Sequence, residues 1–265
     1  MEQLKERPIG ILDSGLGGLT AVRELGRILP NENLVYFGDN ANCPYGNRSK
    51  DDILKLTLTM LDFLQKKEVK VAAIACNTIS TLIEEYRQRY EFPIVSIIES
   101  TCEYVAGMGL TRIGILATNF TVQQGHYNRL IGNLSPNTKV FSKPSKDLAM
   151  LVDEGRFDDP AMRAEIKSLL SSLRESCPDL KDIVLGCTHY PIVQDLFQEE
   201  GPGINFINPA ELQANAVRAL LYDGDILSEN SGSHLDIFTS GEVSQYEAAL
   251  NKLNISRRMS INTLC

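Results

Sequence analysis

Ala73-Ile74-Ala75-Cys76-Asn77-Thr78 and Val184-Leu185-Gly186-Cys187-Thr188-His189 are two matching frames, each running an apolar stretch into a thiol and then into small polar groups. Both are followed by a helical pattern. Each thiol is therefore expected at the carboxyl end of a buried strand, where open α/β sheets place their ligands. The pattern around these frames agrees. Strand-like runs at Pro8–Leu12, Asn33–Phe37, Val71–Ala75 and Ile94–Ile98 alternate with helix-like runs at Leu19–Leu29, Lys50–Lys66 and Ser80–Tyr90.

A second stretch repeats the scheme. Strands are expected at Arg112–Leu116, Lys139–Phe141 and Asp182–Leu185, with helices over Val122–Leu134, over Ala161–Leu173 and from Pro191 onward. Such alternation indicates βαβ units and parallel sheets. Ile9-Gly10-Ile11-Leu12-Asp13-Ser14 echoes Ile113-Gly114-Ile115-Leu116-Ala117-Thr118, and Cys76 echoes Cys187 at a similar offset. The expected fold is α/β, with two similar doubly wound, mostly parallel-sheet domains and the active site in the cleft between them. The helix Glu211–Leu221 and the strand Leu235–Thr239 remain after the second half is complete, so they return to the first. The domains are then 1–97 plus 210–265, and 98–209.

Composition narrows the function classes. The 265 residues are 43% hydrophobic with a net charge of -8, an ordinary balance for a globular protein and a poor one for nucleic acid or an anionic membrane surface. The first residues have no apolar signal-peptide core, and no apolar run is long enough to span a bilayer, so a cytoplasmic location is expected. The six cysteines show no CxxC spacing and are expected as free thiols in a reducing compartment.

Asp13-Ser14-Gly15-Leu16-Gly17-Gly18 follows a buried strand and precedes a helix, so its backbone N–H groups can approach a ligand. It fails as a dinucleotide fingerprint at Thr20, although Asp39 at the end of the next strand keeps a ribose contact open. The Asp13 carboxylate can pair with a substrate ammonium or tune a neighbouring thiol. Cys43-Pro44-Tyr45-Gly46 fixes a turn that presents an aromatic hydroxyl. A free thiol ionises near about 8.5, so thiol and thiolate are both accessible at neutral pH. One thiolate can remove a proton from carbon while a thiol on the opposite face returns one, which inverts a stereocentre. Asn77, Thr78 and Thr188 supply neutral donors for a carboxylate, and His189 can adjust the protonation of Cys187. Cys187 and His189 could also begin a metal site, but no further ligands accompany them, and no metal is expected. Packing is the bland alternative for either cysteine alone. His126 and His234 read as ordinary surface or partly buried residues, and the remaining cysteines receive no role.

Asp13 to Gly18, Pro44-Tyr45-Gly46, Cys76-Asn77-Thr78 and Gly186-Cys187-Thr188-His189-Tyr190-Pro191, in this order and spacing, resemble the aspartate/glutamate racemase superfamily, and within it the glutamate racemases. The resemblance runs through most of the chain. It implies two α/β domains and cofactor-independent interconversion of L- and D-glutamate by two bases, Cys76 for the D-enantiomer and Cys187 for the L-enantiomer, in the service of peptidoglycan synthesis. It also implies that Asp13, Ser14, Tyr45, Gly46, Asn77, Thr78, Thr188 and His189 contact substrate or support the thiols, with Asp13 and His189 among the catalytic groups. His189 favours glutamate over aspartate, and a homodimer is a family habit. No lysine sits in the motifs to form a pyridoxal Schiff base.

Four positions depart from the pattern: Asn42 for an arginine, Ile79 for an alanine, Ser100 for a proline, and Asp153 for a glutamate that assists catalysis. The shorter Asp153 is expected to sit back from Cys187. An aspartate racemase, a related carbon-acid isomerase or decarboxylase, and a silent amino-acid-binding homologue are the alternatives.

Overall fold

The computed structural model describes residues 2–145, 147–230 and 232–264. Its strands are β1 (Ile9–Asp13), β2 (Leu34–Gly38), β3 (Val71–Ile74), β4 (Ile94–Ser96), β5 (Arg112–Thr118), β6 (Lys139–Ser145), β7 (Asp182–Gly186), β8 (Asn205–Ile207), β9 (Leu235–Thr239) and β10 (Met259–Thr263). They form two sheets, ordered β10-β9-β2-β1-β3-β4 and β6-β5-β7-β8, and every described pairing is parallel. β1, β2 and β3 are buried along their whole length, as strands covered by helices on both faces must be.

The two sheets share one topology. β2-β1-β3-β4 and β6-β5-β7-β8 follow the same order, and each chain crosses sides at its central strand. The crevices at these reversal points lie beyond β1 and β3 in one sheet, and beyond β5 and β7 in the other. Asp13 ends β1 and Cys76 follows β3; Thr118 ends β5 and Cys187 follows β7. The strands after residue 210 do return to the first sheet, where β9 pairs with β2 from Leu34↔Leu235 to Gly38↔Thr239.

Local chemistry explains the helices that frame the site. Lys50–Lys66 starts at Ser49, whose hydroxyl accepts from the Asp52 N–H, and it buries Ile53, Thr57, Met60, Leu61 and Leu64 along one face. Between the sheets, the helix Pro209–Asp223 packs against both Leu19–Ile28 and Ile97–Gly107.

Some elements depart from expectation. The run Ile94–Ile98 is strand only to Ser96, and the helix Ile97–Gly107 follows at once. Ser96 accepts from the Glu99 N–H, so Ser96-Ile97-Ile98-Glu99 carries a capping signature that the apolar reading passed over. The expected helix Ser80–Tyr90 is two short turns, Asn77–Ser80 and Ile83–Tyr86, followed by a 3-10 turn. Ser80 and Thr81 bond back to the carbonyls of Ile74 and Thr78, which draws the backbone away from a continuous helix. Gly125, at φ 63°, divides Val122–Leu134 into two helices. The segment from Pro191 opens as a 3-10 turn, Tyr190–Val193, before the helix Gln194–Glu200. The strands β8 and β10 and the helices Leu148–Asp153 and Ser244–Lys252 add to the expected elements. Among the described residues, no helix is long and apolar enough to cross a membrane.

Candidate active site

The two reversal points meet. Ser14, Tyr45, Gly46, Cys76, Asn77, Thr78, Cys187, Thr188 and His189 line one cavity of about 30 Å³, with Cys43, Pro44, Thr118 and Ala149 completing it. Both thiols are nearly sealed from solvent, Cys76 at 4% and Cys187 at 5% exposure. One comes from each sheet.

Asp13 stands behind this cavity and joins its two sides. One carboxylate oxygen accepts from the Gly15 N–H at 3.0 Å, and the other accepts from Thr188 Oγ1 at 3.1 Å. Burial raises the Asp13 carboxyl to about 6, against the opposing pull of His189 and these two donors. The turn Leu16–Gly18 brings the first sheet against the second motif. A Cβ at Gly17 would lie 2.6 Å from Thr188 Oγ1 and 2.7 Å from His189 Nδ1, so only glycine permits the approach.

Cys76 precedes the turn Asn77–Ser80, and its sulfur lies 3.4 Å from Ser14 Oγ. Burial pushes this thiol up to about 12, and Asp13 adds to the effect; N–H groups of Ile79 and Ser14 only soften it. Asn77 is fixed by Tyr127, whose hydroxyl donates to Asn77 Oδ1 at 2.7 Å. The other end of the amide, Nδ2, is buried without a partner among the described residues. A donor left in that condition costs free energy until an acceptor reaches it. Thr78, Thr118 and Thr121 form a cluster of hydroxyls, with Thr78 Oγ1 3.1 Å from Thr118 Oγ1 and the latter 2.9 Å from Thr121 Oγ1. Gly46 abuts it, since a Cβ there would sit 3.2 Å from Thr118 Cβ.

On the second side, Cys187 Sγ lies 3.6 Å from His189 Nδ1, and His189 Nε2 lies 2.8 Å from Asp153 Oδ1. Burial alone would depress the imidazolium. Asp153 and then Cys187 overcome it, holding His189 well above its ordinary range. Asp153 reaches the Cys187 side through His189: the helix Leu148–Asp153 carries its carboxylate to 2.8 Å from the imidazole.

The ribose role suggested for Asp39 does not fit. Its carboxylate already accepts from Tyr45 at 2.5 Å, Ser240 at 2.6 Å and Asn42 at 3.0 Å. That occupancy also commits the Tyr45 hydroxyl to Asp39, and its ionisation is suppressed by burial and by Asp39. Cys43 and Thr118 also line the cavity, beyond the residues the motifs indicate. Thr118 had a signal, because the internal repeat aligns it with Ser14. His126 is more buried than expected, at 2% exposure, with Nδ1 2.7 Å from Arg129. Cys265 lies outside the described residues.

Comparison with known proteins agrees with this geometry. The profile of the Asp/Glu/Hydantoin racemase family matches residues 14–217. "Glutamate racemase 3" of Caldanaerobacter subterraneus subsp. tengcongensis is 32% identical over 270 residues, covering 96% of each chain. A glutamate racemase of Desulforudis audaxviator is 34% identical over 250 residues, covering 91% of each. Among solved structures, the glutamate racemase of Francisella tularensis in complex with D-glutamate superposes with a TM-score of 0.89 at 29% identity, covering 98% of each chain. Its motifs, its paired parallel sheets and these full-length similarities place one conclusion beyond the resemblance: the chain belongs to the Asp/Glu/hydantoin racemase family.

Proposed function

We propose that this protein is a glutamate racemase that interconverts L- and D-glutamate without a cofactor, with Cys76 and Cys187 as the two bases. The observation that carries the reading is the pair of thiols, one from each sheet, on a single small cavity where both are nearly sealed from solvent. The full-length similarity to glutamate racemases, one of them solved with D-glutamate, favours glutamate as the substrate. The two units are residues 1–97 plus 210–265, and 98–209, with the substrate held between them.

The two thiols have different surroundings. Cys76, desolvated and beside Asp13, rests as the thiol. Cys187 lies 3.6 Å from His189 Nδ1, so the imidazole stands where it can support negative charge on that sulfur when Cys187 acts as the base. In the L-to-D direction the Cys187 thiolate removes the α-proton of L-glutamate, leaving a carbanion and a Cys187 thiol. The Cys76 thiol then protonates the opposite face, leaving D-glutamate and a Cys76 thiolate. The reverse direction exchanges the two roles.

An α-proton is far less acidic than a thiol, so the carbanion must be stabilised by donors at the substrate carboxylate. Ser14, the free end of Asn77 and the backbone N–H of Thr188 supply them, the Thr188 hydroxyl being given to Asp13. Gly46 and the hydroxyls around Thr78 and Thr118 suit the side-chain carboxylate, and Tyr45 fixes the Gly46 turn through Asp39. Asp13 holds Thr188 in place and keeps Cys76 protonated. His189 supports Cys187. The product serves peptidoglycan synthesis in the cytoplasm, and assembly as a homodimer is open to a sedimentation measurement.

Circular dichroism of L- or D-glutamate, followed with cofactor-free protein, tests the reading. Cys76→Ser and Cys187→Ser should each lower racemisation by about a hundredfold to ten-thousandfold while far-ultraviolet spectra stay unchanged. Near-normal turnover in either variant contradicts the two-base assignment.

A further inference from the structure

We propose that Cys43 is a positioning residue for the Cys187 side: its S–H donates to Asp153 and fixes the carboxylate that orients His189. The proposal rests on the racemase reading of the same cavity. Cys43 follows β2 in the first sheet, whereas Asp153, His189 and Cys187 belong to the second half of the fold. The contacts run in series across the cleft. Cys43 Sγ lies 3.6 Å from Asp153 Oδ2, Asp153 Oδ1 lies 2.8 Å from His189 Nε2, and His189 Nδ1 lies 3.6 Å from Cys187 Sγ.

Asp153 needs such a partner. It ends a short helix just before Gly155, which has φ 66°, and its side chain is 25% exposed. It also borders a second cleft of about 310 Å³ between the segment 152–157 and the helix Ser244–Lys252. Among the described residues, Cys43 and His189 are the side chains that hydrogen-bond its carboxylate. With Cys43 removed, one oxygen is free to turn toward that cleft, and the other loses its alignment on His189. Space for the sulfur comes from Gly15, where a Cβ would stand 3.2 Å from Cys43 Sγ.

The chemistry of the thiol suits a donor and not a third base. Burial, followed by Asp153 and Asp13, pushes its ionisation far up, so it stays protonated. A thiol close to a carboxylate gives a charge-assisted hydrogen bond that supports one arrangement of the Asp153–His189 pair. Because the contact joins the two halves, it forms only when the cleft is closed. The Cys187 side is then fully supported only around a sealed substrate.

Cys43→Ala and Cys43→Ser, compared with the wild type, test the assignment. Cys43→Ala should lower kcat about tenfold with KM little changed, and Cys43→Ser should recover most of the loss because a hydroxyl still donates. The distinguishing readout is the primary isotope effect with α-deuterated substrate in each direction. In Cys43→Ala the effect should rise for L-glutamate, whose proton goes to Cys187, and fall for D-glutamate, whose proton goes to Cys76. General loosening of the cavity moves both effects together, which overturns the proposal. So does a rise in KM with the isotope effects unchanged, the mark of direct substrate contact.

A second readout does not require activity. With three histidines in the chain, 15N NMR can follow His189 alone. The groups facing it are Asp153, Cys187 and Asp13. Loss of the Cys43 donor loosens the Asp153 carboxylate from the imidazole it holds, so His189 should titrate lower in Cys43→Ala. An unchanged His189 titration overturns the assignment. If the wild type racemises neither enantiomer, the racemase reading fails, while the NMR comparison still decides whether Cys43 acts on His189.

Discussion

Asp13 shows what a reactive cavity costs the fold. Its carboxylate is fully buried and accepts two hydrogen bonds, yet desolvation still raises it from 3.8 to about 6. A carboxyl that ionises less readily when folded binds protons more tightly in the folded state. It therefore destabilises the protein above about pH 6, and the penalty fades as the pH falls from 6 toward 4. The shift corresponds to about 3 kcal/mol. Asp13→Asn, which keeps an acceptor without the charge, should raise stability at pH 7 by up to that amount while racemisation falls. Urea unfolding at pH 7 and at pH 4.5 checks it, and an equal gain at both pH values would refute the linkage. At this scale the sequence was informative where a residue type has few uses. Two thiols after apolar strands, and a carboxylate at a strand tip, each implied chemistry. Cys43 and Asp153 were harder to read, because their roles come from contacts between residues 110 positions apart.

The turn Leu16–Gly18 is the element on which closure depends. Gly17→Ala would force a Cβ against Thr188 and His189, which are held by Asp13 and by Asp153 respectively. The fold should survive, since the clash lies between the halves. Turnover should fall about a hundredfold, the scale at which displacement of about 1 Å disturbs a reacting pair. Normal turnover in Gly17→Ala would show that the turn need not approach so closely. A long amphipathic helix and an alternating strand were legible as elements: Lys50–Lys66 and Leu235–Thr239 have the boundaries their patterns suggest. The misses occur where a short signal competes with apolar periodicity. Ser96 and Glu99 cap a helix inside a strand-like run, and Ser80 and Thr81 break a run that looks helical. Ser96→Ala should accordingly cost about 1 kcal/mol of stability in denaturant unfolding.

Across the whole molecule, two sheets of one topology oppose their reversal points, so each strand-end motif acquires its counterpart from the other half. The weak echo between Ile9–Ser14 and Ile113–Thr118 foreshadowed this arrangement. It could not specify the distance across the cleft, which is set by contacts such as Thr188 with Asp13. A cavity of about 30 Å³ has room for little more than water, so glutamate must enter through an opened form. Hydrogen exchange should therefore slow around residues 40–47 and Leu148–Asp153 when D-glutamate is added, and unchanged exchange there would argue against closure. The two-base claim itself is tested most directly by the isotopic fate of the α-proton. Fresh protein is given L-glutamate in D₂O, and the first D-glutamate formed is examined together with the recovered L-glutamate by proton NMR. Two thiols on opposite faces predict that the product carries solvent deuterium from the first turnovers, while unreacted L-glutamate keeps its proton. Product that retains the original proton would mean that a single base moves it from one face to the other, and would contradict the account.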